Sequence, residues 1–227
     1  FDTGVISGTL IFLQDAKGWA LTDSQLGGVT TAVLLGAVFG CLISGRITDI
    51  FGRKKIIILT SAIFMYGAVL SGSAPDVNFL IMSRLFLGVG IGIASFSVPL
   101  YISEISPARN RGALVTINQL MITVGILVSY ITDYWIADDA DPFSWRLMFH
   151  IGFIPGLMLF TGMFFLPETP RWLISKDRFD EGANVLKRVE DPDLYDASLN
   201  KLKEEIITDD KNRSSLKQIF TPWLKYP

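Results

Sequence analysis

Five apolar stretches, each about as long as a bilayer's hydrocarbon interior is thick, limit what this chain can become. A hydrocarbon core about 30 Å thick takes roughly 20 apolar helical residues to cross. Leu26 to Gly45 and Ile56 to Ala74 contain no Asp, Glu, Lys or Arg, and Leu147 to Leu166 is interrupted only by His150. Phe79 to Tyr101 and Gly112 to Ile136 carry one charge each, Arg84 and Asp133. All five read as membrane-spanning helices. Gly4 to Leu13 is apolar but short of a crossing, with no initiator Met or signal-peptide n-region ahead of it, so the expectation is that the chain begins inside a helix. Half of the 227 residues are hydrophobic and the net charge is only -2, a balance unusual for a soluble domain and one that leaves no basic face for nucleic acid. A single cysteine, Cys41, excludes both a disulfide framework and a cysteine metal site.

The charges between the spans set an orientation. Arg46, Arg53, Lys54 and Lys55 follow the second span, Arg109 and Arg111 the fourth, and Arg171, Lys176 and Arg178 the sixth. The alternate loops hold Lys17 with Asp15, Asp23, Asp76, Asp138, Asp139 and Asp141. Because Lys and Arg are retained on the cytoplasmic side, both ends of a six-helix set are expected in the cytoplasm and the first helix is expected to run outward. Beyond Pro167 the chain becomes charged, with apolar residues at Phe179, Ala183 and Leu186 and again at Leu199, Leu202 and Ile206. That spacing predicts short amphipathic cytoplasmic helices between Asp177 and about Thr208. The organisation expected is a transmembrane bundle over 1–170 with its first helix truncated, then linker helices over 171–227. Asn212-Arg213-Ser214 fits a glycosylation pattern on the wrong side of the membrane, and Trp223 to Pro227 reads as the approach to another span.

Small residues recur four apart, at Gly4 and Gly8, Gly36 and Gly40, Gly88 and Gly92, and Gly152 and Gly156. In lipid such pairs let helices approach closely, and the Gly88-Gly90-Gly92 series, lying inside an apolar span and following no strand, reads as packing rather than a phosphate loop.

Four segments carry a family resemblance: Phe1 to Gly8 (FDTGVISG), Gly45 to Lys55 (GRITDIFGRKK), Pro99 to Gly112 (PLYISEISPARNRG) and Pro167 to Leu173 (PETPRWL). In this order, and at these positions relative to the spans, they resemble the sugar porter family of the major facilitator superfamily. The resemblance implies an all-α polytopic membrane protein of twelve helices, of which this chain holds the six-helix amino-terminal bundle and the short cytoplasmic helices that follow. The chain departs from the family pattern at Ile50, where Arg or Lys usually follows the Asp. It also implies that Asp49, Arg53, Glu104, Arg111, Glu168 and Arg171, three acids and three bases in short loops at cytoplasmic helix ends, form a charge network that closes an inner gate.

A charge within a span costs at least about 2.5 kcal/mol, so an intramembrane acid or base is a functional candidate. Asp2 and Arg84 qualify. Counting at 1.5 Å per residue puts Asp2 about 16 Å and Arg84 about 9 Å below the outer boundary, an offset of about 7 Å that an arginine side chain can bridge. The resemblance makes the first and fourth helices neighbours. It further implies that ionised Asp2 pairs with Arg84 and that a proton from outside loosens the pair, which is proton symport; passive facilitators of the family generally have an uncharged residue in place of this Asp. Gln119, whose amide offers both donor and acceptor to sugar hydroxyls, lies in a segment, Asn118-Gln119-Leu120, that resembles the family's substrate-contacting one. Where some bacterial symporters have a second Gln, this chain has Ile126. His150 reads as a packed or interfacial residue, and Asp133 as a boundary residue beside the interfacial anchors Tyr134 and Trp135.

These readings converge on a secondary active transporter carrying a monosaccharide or polyol across the plasma membrane by proton symport with alternating access. A sugar facilitator and a non-transporting sugar sensor are the alternatives. No nucleophile-base pair or metal-ligand cluster appears, so neither an enzyme nor a cofactor is expected, the proton serving as coupling ion. The partners expected are the sugar and the lipid bilayer, with the complete protein working as a monomer.

Overall fold

The computed structural model describes residues 1–14, 19–107, 109–138 and 141–211. Asp15, Lys17, Asp139, the Asn212-Arg213-Ser214 pattern and the segment Trp223 to Pro227 lie outside the described residues. The described chain is helical with no strand among its residues, and it divides into two compact units, Phe1–Thr169 and a second beginning at Pro170.

The first unit contains α1 (Asp2–Gln14), α2 (Asp23–Phe51), α3 (Arg53–Gly72), α4 (Val77–Ile105), α5 (Arg111–Ile136), α6 (Ser144–Ile151) and α7 (Phe153–Phe165). Five segments are long and apolar enough to cross a membrane: α2, α3, α4, α5 and the run Ser144–Phe165 formed by α6 and α7 together. The chain is thus a multi-pass membrane protein. At 29 residues each, α2 and α4 are about 43 Å long, so their ends stand clear of a hydrocarbon layer about 30 Å thick.

One of the apolar runs differs from its reading as a single helix. Leu147 to Leu166 is broken at Gly152 into α6 and α7. Pro155 explains the break: it has no N–H for the carbonyl of Ile151, and its ring crowds that carbonyl. Pro99 sits within α4 without ending it. Between α2 and α3 the chain turns on Gly52 alone, at φ 98°, a left-handed region open to glycine and strained for other residues. The first turn of α4 is closed by Asp76, whose carboxylate accepts the N–H of Phe79 at 2.8 Å.

The most extensive packing joins α2 to α4, and glycine explains it. A Cβ added at Gly36 or Gly40 would meet the carbonyl oxygens of Leu85 or Val89, and one added at Gly88 or Gly92 would meet those of Val33 or Ala37. The two backbones touch with no side chain between them, the arrangement small residues at four-residue spacing permit in lipid. Further along the same seam the hydroxyls of Thr48 and Ser97, both buried, lie 3.1 Å apart. The other glycine pairs work similarly: Gly4 and Gly8 of α1 face Ser129 and Asp133 of α5, and Gly152 and Gly156 face Ala68 and Met65 of α3.

Asp133, near the outer end of α5, turns inward. It is 5% exposed, packed against Gly8, and neither carboxylate oxygen has a hydrogen-bond partner among the described residues. Tyr134 and Trp135 beside it are each 81% exposed. Successive residues point about 100° apart on a helix, so one faces the bundle while its neighbours face outward.

The second unit holds α8 (Pro170–Ser175), α9 (Phe179–Val189) and α10 (Tyr195–Lys211). In α9, Gly182 allows close approach of Ile174 from α8, and Leu186 is buried. Asp180 and Glu181 stand in its first turn and Lys187 and Arg188 in its last, each sign at the helix end whose dipole favours it. A side-chain hydrogen bond from Arg178 holds the Glu181 carboxyl below its ordinary range.

Candidate functional site

A cavity of about 610 Å³ opens among α1, α3, α4, α5, α6 and α7, within the range that accommodates a small ligand. Most of its wall is apolar. The polar exceptions are Asp2 and Thr3 on α1, Ser95 on α4, and Asn118 and Gln119 on α5. The Gln119 and Asn118 side-chain amides form no hydrogen bond among the described residues, leaving donors and acceptors for an occupant.

At the edge of this cavity stands the ion pair. Arg84 Nη1 donates to Asp2 Oδ1 at 2.6 Å and Nη2 to Oδ2 at 3.0 Å, a bidentate fork. The guanidinium is nearly sealed, Arg84 being 1% exposed, whereas the Asp2 side chain is 24% exposed on the cavity side of the pair. Arg84 Nε has no partner among the described residues. The guanidinium carbon lies 5.2 Å from the centroid of the Phe149 ring, within cation–π range. Phe149 lines the cavity as well. The sequence reading missed this ring, because one aromatic among many in an apolar span has no pattern of its own.

Near the α2–α3 corner lies a second charged cluster. Arg53 donates through Nε and Nη2 to Glu104 at 2.9 and 3.0 Å, and its Nη1 lies 3.1 Å from Asp49. Glu168 accepts the backbone N–H groups of Arg53 and Lys54, both at 3.1 Å, at the amino end of α3 where the helix dipole favours an anion. Thr169 Oγ1 donates to Glu104 at 2.7 Å, and the Tyr101 hydroxyl donates to the Pro167 carbonyl at 2.8 Å. The cluster therefore gathers Asp49, Arg53, Glu104 and Glu168 from four separate segments of the first unit. Thr169 and the two backbone amides were not foreseen from sequence; the glycine before a basic helix start was the available signal for the amides.

Arg111 is exposed at the start of α5 and makes no ion pair among the described residues, while Arg171, in the second unit, lies 3.5 Å from Glu205. His150 is fastened between helices: its Nδ1 donates to the Arg146 carbonyl at 2.6 Å, its Nε2 lies 3.1 Å from Ser73 Oγ, and its ring sits against Gly72. No group of three metal-ligating side chains occurs among the described residues.

Comparison with known proteins gives this geometry a setting. A profile described as sugar (and other) transporter matches residues 1–225. The glucose transporter GlcP of Staphylococcus epidermidis is 35% identical over 224 residues, 99% of this chain and 48% of its own length. The major myo-inositol transporter IolT of Bacillus subtilis is 35% identical over 228 residues, again 99% of this chain and 48% of its own length. Among solved structures, the Escherichia coli proton:xylose symporter XylE bound to 6-bromo-6-deoxy-D-glucose superposes with a TM-score of 0.85 at 28% identity, covering 93% of this chain and 51% of XylE. The chain spans about half the length of the curated relatives it matches.

Proposed function

The chain belongs to the sugar (and other) transporter family, in the major facilitator superfamily, and on that premise we propose that it builds the amino-terminal bundle of a carrier that moves a monosaccharide or polyol across the plasma membrane together with a proton. The observation that carries the reading is the Asp2–Arg84 fork, its guanidinium buried and its carboxylate open to a cavity whose wall also presents the free Gln119 amide. An arginine stays charged, so the carboxylate is the member of the pair that can take up a proton. Neutralising Asp2 removes the attraction that ties α1 to α4 and changes which arrangement of the helices is favoured. A proton and a sugar that both favour the same arrangement are coupled by linkage.

In this reading the sugar sits in the cavity with its hydroxyls on Gln119, and the carrier alternates by rocking this bundle against a second one. The basic loops orient the Arg53 end toward the cytoplasm and the Leu13 end outward. Arg53, Glu104, Glu168 and Asp49 then form the inner gate, holding the cytoplasmic helix ends together while the outer side is open. For Arg111 the same role requires an acceptor supplied by the second bundle, and Arg171 is assigned to the gate by the family resemblance. No bond-making step and no resident cofactor enters the reading, and the complete carrier acts as a monomer. The myo-inositol and glucose transport stated for the relatives, and the proton coupling and xylose transport stated for XylE, support the substrate class and the coupling ion.

The test is Asp2→Asn in the full-length carrier reconstituted into vesicles. Accumulation of sugar against its gradient is expected to disappear while exchange of sugar at equal concentrations continues. Accumulation that survives the substitution would overturn the coupling and favour a facilitator on the same scaffold.

A further inference from the structure

We infer that Phe149 is a positioning residue that holds the Arg84 guanidinium in place when Asp2 is neutral, and so sets the proton affinity of the pair. The inference rests on the symport reading and adds a third member to its coupling machinery.

Two nitrogens of Arg84 are committed to Asp2, its Nε has no acceptor among the described residues, and the residue is 1% exposed, so water does not reach it. Once Asp2 accepts a proton, the oxygen that carries it no longer serves the guanidinium as a charged acceptor. A buried cation that loses its counter-charge must find another partner or leave its site. Among the described residues, a favourable electrostatic surface already against it is the Phe149 ring face, 5.2 Å from the guanidinium carbon. With the carboxylate neutral, the ring face remains as an electrostatic contact for the cation.

The ring is also held rigidly. Phe149 is 2% exposed, and its plane stands at 82° to the ring of Trp145, with centroids 5.9 Å apart. Trp145 is itself fully buried and meets Trp19 edge to face at 5.0 Å. A ring so fixed cannot follow a departing guanidinium and therefore defines where the guanidinium stays. Because Phe149 is part of the cavity wall, an occupant beside Gln119 shares that wall with the group that steadies the cation.

Other charges do not take over this task. On α6, Arg146 donates to the Gly72 carbonyl and His150 is held by Ser73 and the Arg146 carbonyl. On α5, Asp133 faces Gly8, about 9 Å along α1 from Asp2, and Arg111 begins the helix. Arg53, Lys54 and Lys55 of α3, Arg46 and Asp49 of α2 and Glu104 of α4 lie at the far ends of their helices, and Asp23 meets Gln14 at 3.4 Å. None of these forms a hydrogen bond or ion pair with Asp2 or Arg84 among the described residues.

The experiment is a series of mono-, di- and trifluorinated phenylalanines at position 149 of the full-length carrier, with sugar uptake measured against pH at equal protein per vesicle. Fluorine withdraws charge from the ring face with little change of shape, so a merely structural role predicts no movement of the pH profile. The expected result is a stepwise shift of half-maximal uptake toward lower pH, reaching about one unit, a tenfold loss of apparent proton affinity. Phe149→Leu, which lacks the π face, should lie at or beyond the end of that series. A pH-dependent wild type whose midpoint is unmoved by fluorination overturns the role of Phe149 alone. A wild type with no pH dependence overturns that role and the symport reading together.

Discussion

Removing Glu104 tests whether the buried cluster at the α2–α3 corner binds its segments as tightly as its geometry implies. The Arg53 and Glu104 side chains are only 8% and 6% exposed, and the carboxylate receives two hydrogen bonds from Arg53 and one from Thr169. Truncating one member of a buried ion pair costs about 3–5 kcal/mol, chiefly because the other charge is left without compensation. In Glu104→Ala the guanidinium keeps the Thr48 carbonyl at 3.3 Å and Asp49 at 3.1 Å. Asp49 is 60% exposed, so solvent screens most of its contribution. The expected loss is therefore about 3 kcal/mol, near the lower end of the range. Arg53→Ala should lose about as much, because Glu104 would keep only the Thr169 hydroxyl. In the double variant Arg53→Met with Glu104→Leu neither charge is stranded, and it should be more stable than either single variant by about 2 kcal/mol. Reversible unfolding of the full-length protein in mixed micelles measures all three. If the double variant is no more stable than the single variants, the two side chains do not act as a pair and the reasoning fails.

Two other outcomes follow from the same structure. Gly88→Ala drives a methyl group into the Val33 carbonyl and should cost about 2 kcal/mol or more, while Gly112→Ala, whose new carbon meets no packing neighbour within 4 Å among the described residues, should melt with the parent protein in detergent; equal melting temperatures for both variants would sink the account of the α2–α4 seam. Gln119→Ala should raise the sugar KM about tenfold, the equivalent of one good hydrogen bond, with maximal velocity little changed; an unaltered KM in vesicle uptake would remove Gln119 from the binding site.

The apolar spans were legible from sequence because crossing a membrane imposes a length requirement that survives uncertainty about any single residue. The offset counted between Asp2 and Arg84 was also tractable, since helical rise is constant and an arginine is long enough to close about 7 Å. The break at Gly152 was not foreseen, although Pro155 marked it, because hydropathy averages over the missing hydrogen bond. The inward turn of Asp133 was not foreseen for a related reason: its position near a helix end says how deep it lies, but not which way it points. The Thr169 hydroxyl on Glu104 and the two main-chain amides on Glu168 were hidden because such groups leave no charge pattern to read. Phe149 was hidden because its importance comes from the cation behind it, not from anything in its neighbours along the chain.

The glycine contacts between α2 and α4 also bear on how force travels through the bundle. Each helix buries its carbonyl ridges in notches of the other, so sliding or rotating one past the other would drive backbone into backbone at four places. Along that seam the two helices are keyed together, so a tilt of one is expected to carry the other with it.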